Sequence, residues 1–118
     1  MKETFELGLI VVDRGALDEL RHKDIFSALC RFASRDWGND VSHGVKECND
    51  AALDKNYKRR IFSIYKDSHG TKFFIYTEWD RSATVVIMPD DYWYGPVSVI
   101  DRITPTISRR IKTEANEE

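Results

Sequence analysis

The chain has 118 residues, 42% of them hydrophobic, and a formal net charge of -2. That length suits one domain that buries about two thirds of its unfolded surface without metals or crosslinks. The near-neutral charge argues against a nucleic-acid partner, because duplex binders carry a basic excess, and against imitation of DNA, which needs a large acidic one.

Two cysteines, Cys30 and Cys48, are too few for a secreted disulfide scaffold. The opening MKETFELG has no apolar stretch of the signal-peptide kind, and no run approaches the roughly 18 apolar residues of a membrane span. The expectation is a soluble, cytoplasmic chain with no membrane partner.

Residues 5–12 (FELGLIVV) carry apolar side chains on both faces, which predicts a strand that is interior at its C-terminal end. Gly8 marks a bulge or a close backbone approach within it. Residues 16–21 give a short helix with Leu17 and Leu20 three apart, and Asp24 then offers the cap of a second helix. On that helix Ile25, Phe26, Leu29, Phe32 and Ala33 form a broad apolar face, with Cys30 at its border as a structural thiol. DWGNDVSHG, residues 36–44, is a loop in which Trp37 plugs the helix end. Ser42 caps a third helix over roughly residues 44–55, with Val45, Cys48 and Ala52 as its stripe.

Residues 57–92 hold a three-stranded meander. Ile61, Ser63 and Tyr65 alternate with Arg60, Phe62, Ile64 and Lys66, and Phe73, Ile75 and Thr77 alternate with Phe74, Tyr76 and Glu78. DSHG supplies Gly70 for the first hairpin, and ATVVIM follows the Asp80, Arg81, Ser82 turn and stops at Pro89. Residues 93–118 read as an appendage, a short strand in VSVIDRI and a helix in TISRRIK. The fold class is therefore α+β in one domain. An antiparallel sheet of about four strands, in the order β-α-α-(α)-β-β-β, carries its helices on one face.

DWG at 36–38, Asn49 and Asp50, Ser63 and Tyr65, and above all TEWDRSATVVIMPDDY make the chain resemble a family of small bacterial proteins from plasmids and other mobile elements. Its signature is a TEADRS-T-x-P-x-Y pattern, matched here by Thr77, Glu78, Asp80, Arg81, Ser82, Thr84, Pro89 and Tyr92, with Trp79 in place of a small residue. The likeness covers about residues 7–92 and implies origin and fold. Members carry the label plasmid-related or type I restriction enzyme subunit M. A methyltransferase needs a glycine-rich cofactor loop and an Asn/Asp-Pro-Pro-aromatic motif, and the chain has neither, nor any other cofactor motif.

Three groups are candidate site residues. Glu78, Asp80 and Asp91, with Asp90 beside them, form an acidic cluster of the kind that two-metal nucleases assemble; turn capping by Asp80 and a Glu78–Arg81 ion pair account for it without a metal. Lys58, Arg59 and Arg60 form a basic patch, and Arg109, Arg110 and Lys112 a second, of a kind that with neighbouring aromatics tracks a nucleic-acid backbone; solvated charges guarding an edge strand are the favoured explanation. The histidines His22, His43 and His69 lack metal-ligand spacing, so no metal site is predicted. Trp79, Tyr92, Trp93 and Tyr94 are the aromatic group best suited to an interface. The function expected is that of a non-enzymatic accessory protein binding an unidentified protein or itself as a homodimer. The alternatives are an anti-defence inhibitor and a small metal-dependent hydrolase or nuclease.

Overall fold

The computed structural model describes residues 4–54 and 59–92. Among these residues seven regular elements run in chain order: β1 (Leu9–Val12), α1 (Arg14–Glu19), α2 (His22–Ala33), α3 (His43–Ala52), β2 (Ile61–Lys66), β3 (Lys72–Thr77) and β4 (Ala83–Ile87). A short 3-10 turn, Pro89–Asp91, follows. The predicted appendage at 93–118 lies outside the described residues.

Among the described residues the four strands form one sheet in the order β1-β4-β3-β2. The β2–β3–β4 meander is antiparallel as expected, with Ser63 opposite Ile75 and Ile75 opposite Val86. β1 is the exception, for it pairs with β4 in parallel, Leu9 beside Ala83 and Val12 beside Val86. The sheet is therefore mixed rather than antiparallel throughout. The physical reason is the connection: three helices and two strands separate β1 from β4, and a crossover of that length permits parallel pairing, which a tight turn forbids. Among the described residues β1 is also an edge strand, not an interior one, and Leu9 is 64% and Ile10 45% exposed.

All three helices pack on one face of the sheet. Ile61, Tyr65, Phe73, Ile75, Val86 and Met88 meet Ala16, Leu20, Ile25, Ala28, Leu29, Phe32 and Ala52 in one continuous core. Trp37 closes that core beyond the end of α2, its ring 5.5 Å from Phe32 and 5.9 Å from Phe5, which is the plug that the sequence suggests. On the opposite face Tyr76, Val85 and Ile87 are buried beneath Val11, Phe62, Phe74 and Tyr92.

Helix boundaries differ from expectation in instructive ways. α2 begins two residues before Asp24, at His22. Asp24 is thus not its cap; its carboxylate instead accepts hydrogen bonds from the Ser68 amide at 3.0 Å and the Ser68 hydroxyl at 2.8 Å, tying α2 to the β2–β3 hairpin. The buried stripe of α2 is Ile25, Ala28, Leu29 and Phe32, while Phe26 is turned outward. Ser42 caps α3 as predicted, accepting from the Val45 amide. The buried positions of α3, however, are Asn49 and Ala52. Both cysteines are exposed and free, so neither is the core thiol that the apolar pattern suggested for Cys30.

Gly8 has φ +67, and a Cβ there would lie 2.4 Å from the Arg81 carbonyl oxygen and 2.6 Å from that of Ser82. Only glycine lets the chain enter β1 so close to the β3–β4 turn. Thr84 holds the same approach, donating its hydroxyl to the Leu7 carbonyl at 2.6 Å. The Thr77 hydroxyl therefore donates to Thr84 Oγ1, also at 2.6 Å.

Candidate functional site

The residues that carry the family resemblance converge on β2 and on the turn before β4. Asn49, buried on α3, faces the outer edge of β2, where its Nδ2 donates to the Phe62 carbonyl at 2.8 Å and its Oδ1 accepts the Phe62 amide at 3.1 Å. One side chain thus reproduces the two bonds of a strand neighbour. Trp37 donates its indole N–H to Asp50 at 2.9 Å, one position further along the helix. From β2 itself, Ser63 donates its hydroxyl to the Trp37 carbonyl, and Tyr65 its phenol to the Asp36 carbonyl at 2.6 Å. Burial pushes the Tyr65 phenol well above its ordinary range. Gly38 sits at φ +79 with the Ile64 carbonyl 3.2 Å from where a Cβ would be, so the DWG loop lies directly along the strand.

On the face away from the helices, Arg60 and Glu78 form a buried ion pair. Arg60 Nη2 donates to the two carboxylate oxygens at 2.7 and 2.9 Å, and Nε adds a third contact at 3.2 Å. The Glu78 side chain is fully buried and that of Arg60 is 18% exposed. Arg60 also donates Nη1 to the Tyr92 hydroxyl at 3.0 Å and lays its guanidinium 4.5 Å from the Tyr76 ring centroid. Burial opposes the charge on Arg60, yet the hydrogen bond to Glu78 and the neighbouring Tyr92 outweigh it and hold its pKa above the usual value. Tyr92 completes the group, with its ring 5.5 Å from Phe62, 5.4 Å from Phe74 and 5.2 Å from Tyr76.

Arg81 has a different task from the ion pair with Glu78 that the sequence suggested. Its Nη1 donates to the carbonyls of Arg59, Glu78 and Trp79 at 2.8, 3.0 and 3.2 Å, and its Nη2 donates to the carbonyl of Ala52. The guanidinium therefore joins the end of α3, the approach to β2 and the β3–β4 turn. Burial lowers its pKa. Its backbone sits at φ 61, a conformation non-glycine residues seldom adopt, and these four carbonyls hold it there. Asp80 caps the same turn, accepting from the Ser82 amide at 3.0 Å.

The three predicted groups fare differently. Glu78 is paired within the protein, Asp80 is a turn cap, and Asp90 and Asp91 lie in the 3-10 turn after β4, where Asp91 Oδ2 stands 2.7 Å from a Cβ built at Gly15. Among the described residues no three His, Cys, Asp or Glu side chains gather where a metal ion would fit. In the basic patch Arg59 is exposed, Arg60 belongs to the buried pair and Lys58 lies outside the described residues, as do Arg109, Arg110 and Lys112. Of the aromatic group, Trp79 is 40% exposed on the β3–β4 turn, Tyr92 is half-buried over the second face, and Trp93 and Tyr94 lie outside the described residues. His43 pairs with Glu47 at 3.3 Å on the surface of α3. A cleft of about 300 Å³ opens between the DWG loop and α3, lined by Arg35, Asp36, Asn39, His43, Lys46 and Glu47, with both charges interspersed.

Sequence reading missed the roles of Asn49 and Arg81. Both stood in the resemblance, but the partner of Asn49 lies 13 residues away and two of the four Arg81 partners, Arg59 and Ala52, lie 22 and 29 residues away, distances at which spacing carries no contact information. The chain matches no family model, no curated protein and no solved structure. No helix among the described residues is long and apolar enough to cross a membrane.

Proposed function

We propose that the chain is a non-enzymatic, cytoplasmic accessory protein of a mobile genetic element that acts by binding another protein or by self-association. The observation that carries this reading is the setting of Trp79. The residue is 40% exposed, while the residues beside it are fixed: Glu78 by Arg60, Asp80 by the Ser82 amide, and Arg81 by four carbonyls. A large aromatic side chain on a rigid turn loses little conformational freedom on docking, which is the property of an interface anchor. The polar residues that would otherwise suggest chemistry are committed to holding the fold, which supports binding over catalysis.

The test compares wild type with Trp79→Ala, both immobilised, in capture from a host lysate, alongside sedimentation of each purified protein. A defined partner captured by wild type and lost with Trp79→Ala, or self-association of the purified protein, supports the reading. No specific capture by either protein, with both monomeric, contradicts it.

A further inference from the structure

We infer that the open edge of β1 is a self-association surface, through which two copies of the chain pair antiparallel about a two-fold axis into one continuous sheet. The inference rests on the self-association arm of the reading above and places it at β1, separate from Trp79.

The amides of Leu9 and Asp13 donate to the carbonyls of Ser82, just before β4, and Val86 within it. Strand alternation then turns the N–H and C=O groups of Ile10 and Val12 outward. Among the described residues no group bonds those outward atoms. Nothing on the strand discourages a neighbour either, since LIVV carries no charge and no proline, the usual guards of an edge. The helix that follows does not shield it, because α1 packs against β4, toward the interior of the sheet. Leu9 and Ile10, on opposite faces of the strand, are 64% and 45% exposed, so apolar surface is available on both sides of the seam.

The opposite edge of the sheet explains why the partner is the same strand of a second copy. On β2 the outward groups of Phe62 are already bonded to Asn49, and Lys66 ends the strand. Pairing of β1 with β2 of another copy, which would propagate without closing, is thereby obstructed. Pairing of β1 with itself closes after two. With Val11 on the axis, Ile10 stands opposite Val12 of the second copy. Each such pair exchanges both of its backbone bonds, and the axis generates the pair twice, so every outward group of β1 is used. Leu9 falls opposite Asp13, and no like charges meet. The seam is short, which places the association at the weak end, with dimer growing in over roughly 1–100 μM.

Sedimentation velocity of the full chain across that range tests the proposal, on wild type, Ile10→Pro, Ile10→Lys and Trp79→Ala. Ile10→Pro deletes an outward N–H that makes no bond within the sheet, and Ile10→Lys places a charge in the seam. Wild type and Trp79→Ala dimerise, and both Ile10 variants remain monomeric with unchanged circular dichroism. If proline disturbs the fold, the lysine variant decides, and hydrogen exchange on wild type decides independently: the Ile10 and Val12 amides slow as concentration rises. A wild type that stays monomeric at the top of the range, a dimer that survives both Ile10 variants or is lost with Trp79→Ala, or Ile10 and Val12 amides protected at every concentration, as cover by residues 93–118 would give, each overturns it. A monomer that still captures a partner through Trp79 overturns this inference and leaves the proposed function standing.

Discussion

The two edges of the sheet are treated in opposite ways. Along β2 the chain spends its buried polar residues: Asn49 takes both outward bonds of Phe62, Ser63 and Tyr65 hold the carbonyls of the DWG loop, and Arg60 at the strand entry pairs with buried Glu78. Along β1 the strand is short, apolar and uncharged, and its side chains are half in water. Residues that look like a functional signature in the sequence are thus occupied in closing one edge, while among the described residues nothing bonds the outward groups of the other. Burying a polar group without a partner is costly, so polar residues confined to one region usually mark where the fold needs backbone groups satisfied.

Breaking the closed side should produce the largest effects. Glu78→Gln keeps the shape of the side chain but leaves the Arg60 guanidinium buried without a counter-charge; removing one partner of a buried pair costs about 3–5 kcal/mol. The expected outcome is a large drop in the denaturant midpoint, and a loss below about 1 kcal/mol would show the pair to be solvated. Asn49→Ala comes next. It strips the Phe62 amide and carbonyl of their partners and should cost about 2 kcal/mol, read by thermal or chemical unfolding. Because it also opens the β2 edge, it should make the protein associate beyond a dimer at high concentration, which light scattering detects.

The smallest effect concerns pH. Hydrogen bonds from the Ser68 amide and hydroxyl hold the Asp24 carboxyl below its ordinary value of 3.8. A depressed folded-state pKa contributes stability that is complete above the unfolded-state value and is lost as pH falls through the folded-state value. The melting temperature of wild type should therefore fall more steeply than that of Asp24→Asn below about pH 4 and run parallel to it at neutral pH. Parallel curves throughout would show that the tie between α2 and the hairpin carries no charge dependence.

How much of this was legible in the sequence differs between the same two regions. The alternation of Ile61, Ser63 and Tyr65 with Phe62 and Ile64, the Gly70 hairpin and the stop at Pro89 are local signals, and they give the meander and the α+β class directly. The division of β2 and β3 into two faces followed as well; Ile61, Tyr65, Phe73 and Ile75 form the faces that lie under the helices. The place of β1 did not follow, because a strand with apolar residues on both faces reads alike whether it is covered or left at a margin. The Asp24 cap failed for a related reason: a good capping residue was recruited by Ser68, 44 positions away, and the helix began without it. Asp80 as a turn cap was legible, since its partner is two residues on. Glu78 was not, since Arg60, rather than nearby Arg81, is its partner across the strand pair.

The central claim, that the protein closes one edge of its sheet with its own side chains and that no described residue closes the other, is tested most directly by residue-resolved hydrogen exchange at several concentrations. In dilute solution the Phe62 amide should be protected while those of Ile10 and Val12 exchange freely, and raising the concentration should slow Ile10 and Val12 and leave Phe62 unchanged. A Phe62 amide that exchanges as fast as Ile10 in dilute solution would contradict the account.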